Sequence, residues 1–180
     1  KSLVNLLEMT GGRAMGISGI DGRPIMAKPK SEKLGFVGEI TAVNVGPILD
    51  LLEKGYIPVV STVGCDEAGN VYNINADSAA ARISGAMGAE CLISMTDIAG
   101  IMENKDDPTS LIPLLDIAGA YDLMRSGVVS GGMVPKVESC IEAVLCGVKK
   151  VFILDGRVPH SILVEMLTDE GAGTMVVEAE

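Results

Sequence analysis

Short aliphatic runs recur along this chain, each closed by glycine or a polar loop, with amphipathic stretches between them. Residues 14–18, 57–61, 91–95, 151–154 and 174–177 have the length and apolar character of strands. Residues 3–9, 47–54, 77–87, 116–126, 135–146 and 161–167 have helical patterns, and Gly55, Gly88, Gly127 and Gly147 each follow a helix end. Such alternation folds as an α/β protein with a largely parallel sheet covered on both faces. Ligands of these sheets lie beyond the carboxyl ends of the strands, which directs attention to the loops after Ser61, Met95 and Leu154. Asp21-Gly22 marks a turn, with 24–27 the returning arm of a hairpin and 28–38 a loop. A second turn at 67–70 leads into a short extended piece at 71–74.

Length and composition narrow the function. The 180 residues make one domain or two small lobes, and 48% hydrophobic content without tryptophan gives an aliphatic core. The 22 glycines exceed the usual share of about 7%, which points to tight turns or ligand loops. A net charge of −10 removes nucleic acid as the main partner, since phosphate backbones need a basic face. A single nucleotide asks only for a local positive field. Cys65, Cys91, Cys140 and Cys146 form no CxxC pair and read as buried, reduced thiols. No apolar run reaches the roughly 18 residues of a membrane span, and no apolar signal-peptide core opens the chain. A reducing cytoplasm fits. Lys1-Ser2 runs straight into a helical pattern without Met, so the protein is expected to start earlier.

Two polar segments stand out. Asn73, Asn75 and Asp77 alternate in VYNINADSAA, just before a small-residue helix. Residues two apart on extended backbone share a face, so the two amides point to one cleft and suit a polar ligand. Asp77 is placed to cap the helix, a structural role that competes with a chemical one. The other segment is SGGMVPK. Its glycines let backbone approach a phosphate, and the helix opened by Pro135 offers unpaired N–H groups and a positive field. Lys136 in the first turn opposes the helix dipole, which a bound anion explains better than the alternative of a solvated surface lysine. A lysine there neutralises charge growing on a transferred phosphoryl group.

Residues 96–102 follow a buried strand, where a nucleotide rests if the loop is more than an ordinary turn. The chain has no GxxxxGK[ST], GxGxxG, HRD or DFG motif, so phosphate chemistry here needs another architecture. His160, the lone histidine, reads as a helix-start residue. Glu165, Asp169 and Glu170 read as a solvated acidic face to which Arg157 pairs.

Together FVGEITAVN, GYIPVVSTVG, YNINADSAA, TDIAGIM, GGMVPK, ILDGRVPHSILVE and TDEGAGTM resemble the acetylglutamate kinases of the amino acid kinase family, in order and over nearly the whole chain. The resemblance implies a three-layer α/β/α sandwich around a mainly parallel open sheet. It assigns residues 1–88 to the remainder of an N-terminal lobe for the acyl amino acid and residues 89–180 to a C-terminal nucleotide lobe. The implied reaction moves the γ-phosphoryl group of ATP to the γ-carboxylate of N-acetyl-L-glutamate, an early step of arginine synthesis. Mg2+ accompanies the ATP, with no dedicated protein metal site.

Residue by residue, Asn73 resembles the substrate-binding asparagine, and Asn75 joins it as a substrate contact. Asp77 resembles the aspartate that organises the catalytic lysines, and Lys136 the transition-state lysine. Thr96, Asp97, Ile98, Ala99, Gly100, Ile101 and Met102 resemble one ATP loop. Val128, Val129, Ser130, Gly131, Gly132 and Met133 resemble the other. The hairpin at 21–28 is similar to one that lids the acyl-glutamate. His160, Glu165 and Gly171 resemble the arginine site of feedback-inhibited members. A homo-oligomer and a PII-type signalling partner are implied for the full-length protein, with no nucleic acid and no membrane.

The chain departs from the family at its start. A Lys-x-Gly-Gly strand and loop, a second glycine-rich turn, a substrate-binding arginine and an N-terminal oligomerising helix are absent from it. The expectation is a truncated chain whose first strands are missing and which is inactive as it stands. Two other readings compete: a different amino acid kinase acting on carbamate, uridylate or aspartate, and a non-catalytic module that binds ATP or arginine.

Overall fold

The structure, a computed structural model, describes residues 1–104, 106–169 and 171–178. It divides into two units, Lys1–Ala79 and Ala80 onward. The first unit holds α1 (Ser2–Met9), β1 (Ala14–Ser18), β2 (Ile25–Pro29), β3 (Gly38–Val43), α2 (Gly46–Glu53), β4 (Ile57–Ser61), β5 (Val63–Cys65) and β6 (Val71–Asn73). The unit boundary falls inside α3 (Ala76–Met87).

In the first unit, β1 and β4 pair in parallel, with Ala14 opposite Ile57 and Ser18 opposite Ser61. A second sheet has the order β3-β2-β5-β6, its outer pairs antiparallel and its β2–β5 join parallel. Ile25, Ala27, Ile48, Tyr72 and Ile74 are buried here. The expected hairpin between residues 14–18 and 24–27 does not form. Gly19 N–H still donates to Ser61 O at 3.1 Å, carrying β1 along β4, and Asp21 folds back onto the Ser18 N–H and hydroxyl. β2 then pairs with β3 instead, so Lys28 and Pro29 belong to a strand and not to a loop. Lys28 lies opposite Glu39 and forms an exposed ion pair with it at 3.4 Å. β4 is also less buried than its apolar sequence suggested. Ile57 is 45% exposed, because a two-stranded sheet leaves each strand an open edge.

The second unit holds β7 (Cys91–Thr96), β8 (Leu114–Asp116), α4 (Ile117–Arg125), α5 (Met133–Leu145), β9 (Lys150–Asp155), α6 (Ser161–Leu167) and β10 (Gly173–Val177). The strand order is β7-β9-β10-β8. β7 and β9 run parallel with Thr96 opposite Asp155, so the two strands end together. β10 is antiparallel to β9 and parallel to β8. Asp116 caps α4 by accepting the Gly119 N–H at 2.6 Å. α5 starts at Met133, two residues before the expected Pro135, with Gly132 at its N-cap.

Val137, Cys140, Ile141 and Val144 recur at helical spacing on α5 and are buried with Val151, Ile153 and Val176 of the sheet. Each fully buried aliphatic side chain contributes about 1.5–3 kcal/mol, so this face fixes α5 on the strands. The α/β class with parallel-rich sheets is the class read from the alternation. Three strands, β3 and the short β5 and β8, join it without having been expected. None of the four cysteines forms a disulfide. Cys65 and Cys140 are buried as expected, but Cys146 at the end of α5 is exposed.

Candidate functional site

In the first unit the polar run begins on a locked turn. The Asp66 carboxylate accepts from the Asn70 side-chain amide at 2.8 Å, the Tyr72 hydroxyl at 2.8 Å and the Asn70 N–H at 2.9 Å. The Asn70 amide, then Tyr72, holds the Asp66 carboxyl below its ordinary pKa, and Asp66 in turn raises that of Tyr72. Tyr72 and Ile74 are buried, whereas Asn73 and Asn75 are exposed, so the two amides share a face as their spacing required. Asn73 N–H donates to Phe36 O at 2.7 Å, and Ile74 N–H to Thr62 O at 2.9 Å. The residue's backbone position is therefore fixed from both sides.

The cap of α3 is Asn75 and not Asp77. Asn75 Oδ1 accepts the Ser78 N–H at 3.0 Å, while Asp77 lies inside the helix's first turn and is half-buried. Asn75 thus has a structural task that the sequence had assigned to its neighbour. A cavity of about 220 Å³ in the same unit touches Ser18, Asp21 and Ser61, at the carboxyl ends of β1 and β4.

In the second unit the two loops expected to take the nucleotide, some 30 residues apart in sequence, meet. A cavity of about 170 Å³ is lined by Ile98, Gly100, Ile101 and Met102 from one and by Val128, Val129 and Met133 from the other. Its wall is mainly apolar, and it is smaller than the roughly 300–1,000 Å³ of a whole-ligand pocket, so it has room for an apolar part of a ligand. Thr96, Asp97, Ala99, Ser130, Gly131 and Gly132 do not line it. Gly131 has φ +58°, and a Cβ on it or on Gly132 would meet nothing within 4 Å. The turn before α5 is thus open to an approaching group. Lys136 is half-buried in the first turns of that helix.

The ends of β7 and β9 form a third polar group. Gly156 N–H donates to Thr96 O at 2.7 Å. Arg157 does not reach the acidic run at Glu165 and Asp169. It donates to Asp155 instead, Nε to Oδ1 at 2.9 Å and a terminal nitrogen to Oδ2 at 2.8 Å. A partner two residues away in sequence is the shorter reach for the guanidinium. Those bonds hold Asp155 below its ordinary pKa and raise that of Arg157, with Asp97 adding a smaller pull on Arg157. His160 occupies the N-cap position of α6 in the left-handed region, φ +62°. Glu165 accepts the Ala172 N–H at 2.5 Å, beside Gly171 at φ +68°. Glu170 lies outside the described residues.

Sequence reasoning missed Asp66, Tyr72 and Thr174. The first two announce themselves as Asp-x-x-x-Asn-x-Tyr around a turn. Thr174 is the polar residue in an otherwise apolar strand and is fully buried.

Residues 1–155 match the amino acid kinase family. The chain is 51% identical over 178 residues to an acetylglutamate kinase of Thermosynechococcus vestitus, covering 98% of this chain and 60% of that protein. Against the chloroplastic acetylglutamate kinase of Arabidopsis thaliana it is 49% identical, covering 98% of this chain and 51% of the relative. The chain therefore spans between about half and three-fifths of the length of these curated relatives. Among solved structures, smu.665 of Streptococcus mutans superposes with a TM-score of 0.83 at 27% identity, over 98% of this chain and 66% of the other. The N-acetylglutamate synthase of Neisseria gonorrhoeae, complexed with coenzyme A and N-acetyl-glutamate, shares the fold at a TM-score of 0.81 and 22% identity, over 99% and 44% of the two chains. With the match running through both units, the chain belongs to the amino acid kinase family.

Proposed function

We propose that this chain serves the transfer of the ATP γ-phosphoryl group to the γ-carboxylate of N-acetyl-L-glutamate. The observation that carries the reading is its identity of 51% and 49%, over 98% of its length, to two proteins named acetylglutamate kinase. The meeting of the two expected nucleotide loops around one apolar cavity supports it. In the step, a carboxylate oxygen bonds to the γ-phosphorus, the bond from that phosphorus to the β–γ bridging oxygen breaks, and ADP departs with the electron pair. Lys136 neutralises charge on the migrating group, Asp77 takes the part of the family's organising aspartate, and Asn73 with Asn75 holds the acyl amino acid. The loops at 96–102 and 128–133 take the nucleotide, with the base on the apolar wall.

Among the described residues no group of three or more His, Cys, Asp or Glu side chains gathers to hold a metal. Mg2+ is read as entering with the triphosphate that it accompanies. The same reading gives arginine the segment with His160, Glu165 and Gly171 as a feedback site. It includes a homo-oligomer and a PII-type partner for the working protein and places the reaction in the cytoplasm. No described helix is long and apolar enough to cross a membrane.

The test is ADP release by the intact protein with N-acetyl-L-glutamate, and with glutamate, carbamate, uridylate and aspartate as competing acceptors. Hydroxylamine traps the acyl phosphate. Turnover that depends on N-acetyl-L-glutamate is the expected result. Turnover on another acceptor, or nucleotide binding without acceptor-dependent turnover, would overturn the assignment.

A further inference from the structure

We infer that Thr174 is a positioning residue of the nucleotide pocket, its hydroxyl fixing the cavity wall at Ile101. The inference rests on reading that cavity as part of the nucleotide site. Thr174 lies in β10 and is fully buried. Its hydroxyl accepts the Ile101 N–H at 2.8 Å and donates to Ile112 O at 2.7 Å. Ile112 N–H donates to Ile101 O at 2.8 Å, so both backbone groups of Ile101 are engaged. Met102 and Leu111 continue the contact as an antiparallel bridge. Without the hydroxyl, the loop that carries Ile98, Gly100, Ile101 and Met102 would be joined to the sheet by packing alone at this point.

The neighbouring glycine shows how close the approach is. Gly100 has φ +150°, and a Cβ there would lie 2.7 Å from Thr174 Oγ1 and 2.8 Å from Leu111 Cδ1. The loop backbone thus rests on the hydroxyl with no room for a side chain between them. Valine at position 174 would keep the shape and remove the hydroxyl. It leaves a buried N–H and a half-buried C=O without their partner, and such groups are costly enough that the backbone shifts to find others. A shifted Ile101 changes the wall against which the ligand packs. Serine keeps the hydroxyl and loses only a methyl group.

The experiment uses the intact protein carrying Thr174→Val, Thr174→Ser, or, as a control for lost stability, Val148→Ala, a buried core residue outside the cavity. Mg-ATP affinity is measured by calorimetry and the Ile101 amide is followed by hydrogen exchange. Thr174→Val is expected to weaken nucleotide binding by about tenfold and speed Ile101 exchange, as loss of one buried hydrogen bond would. Thr174→Ser restores both to within about twofold, and Val148→Ala lowers the melting temperature without changing affinity. Wild-type affinity in Thr174→Val, or a Val148→Ala variant that loses affinity equally, would overturn the positioning role. If the wild type binds no Mg-ATP, the nucleotide reading falls instead. Ile101 exchange unaltered by Thr174→Val then removes the loop contact as well.

Discussion

The turn that leads to Asn73 and the loop that lines the apolar cavity are held in opposite ways. Asp66 locks its turn through Asn70 and Tyr72, no more than six residues along the chain. Ile101 is held by a hydroxyl 73 residues away in sequence. A turn closed by its own neighbours forms whenever the local chain forms, and its residues can be read from a short window of sequence. A loop held by a distant strand takes its shape only once that sheet is assembled, so damage anywhere along β10 reaches it. The turn that leads to Asn73 is thus locally encoded, although Asn73 N–H also donates to Phe36 O, and the Ile101 loop is encoded by the fold.

The largest effect expected is chemical. Lys136→Ala should lower kcat by about 100- to 1,000-fold, the loss typical of removing one group that stabilises transition-state charge. Asn73→Ala should instead raise the KM for the acyl amino acid and leave the KM for ATP alone. Steady-state kinetics with each substrate varied separates the two, and a Lys136 variant of normal kcat would break the assignment. Next come two crowded glycines, one in each region. A Cβ at Gly38 would lie 2.6 Å from Tyr72 Cβ, and one at Gly100 would lie 2.7 Å from Thr174 Oγ1. Each alanine variant should cost about 1–3 kcal/mol in urea unfolding, with Gly100→Ala the worse because its φ of +150° adds backbone strain. Gly100→Ala should also weaken Mg-ATP binding, whereas Gly38→Ala should leave it intact.

What could be read from the sequence follows the same division. β1, β4 and α6 match their expected bounds, because apolar runs bounded by glycine or polar residues carry their own punctuation. The three-residue strands β5 and β8 are too short to show a period. The hairpin expected after Asp21-Gly22 failed because pairing partners are chosen by the whole sheet: β1 pairs with β4, forty-three residues on in register, and β2 with β3. At the site, the shared face of Asn73 and Asn75 follows from a period of two. The capping role fell to Asn75 and not Asp77, because the helix begins at Ala76, one residue earlier than expected. The cavity loops were visible only as sequences at a strand's carboxyl end and a helix start. Their meeting, and the hydroxyl beneath one of them, are tertiary facts with no local signature.

Asn75 offers a sharper cut between structural and ligand roles. If its oxygen serves the helix, Asn75→Ala should destabilise the protein by about 1 kcal/mol and Asn75→Ser should recover most of that, since serine caps nearly as well. An amide that also binds the acyl amino acid is not replaced by a hydroxyl. Asn75→Ser should then be stable and still show a raised KM for the acceptor. Full recovery of both stability and KM would reduce Asn75 to a cap and leave Asn73 as the amide on which acceptor recognition depends.

The smallest effect concerns two carboxylates with different kinds of partner. Asp66 is held below its ordinary pKa first by the neutral Asn70 amide, Asp155 first by the cationic Arg157. In both, the folded state has the lower pKa, so the stabilisation is present above the unfolded value of about 3.9 and is lost as pH falls through the folded one. Asp66→Asn and Asp155→Asn should therefore each lower the melting temperature at pH 6 and lose that effect as pH falls through the folded-state pKa. Salt tells them apart. Arg157 is 68% exposed, so raising ionic strength to about 1 M, where the screening length falls to about 3 Å, should shrink the Asp155→Asn effect and spare that of Asp66→Asn. Equal salt sensitivity of the two would mean that the hairpin turn, too, is held by charge, and the contrast between a hydrogen-bonded turn and an ion-paired strand end would not stand.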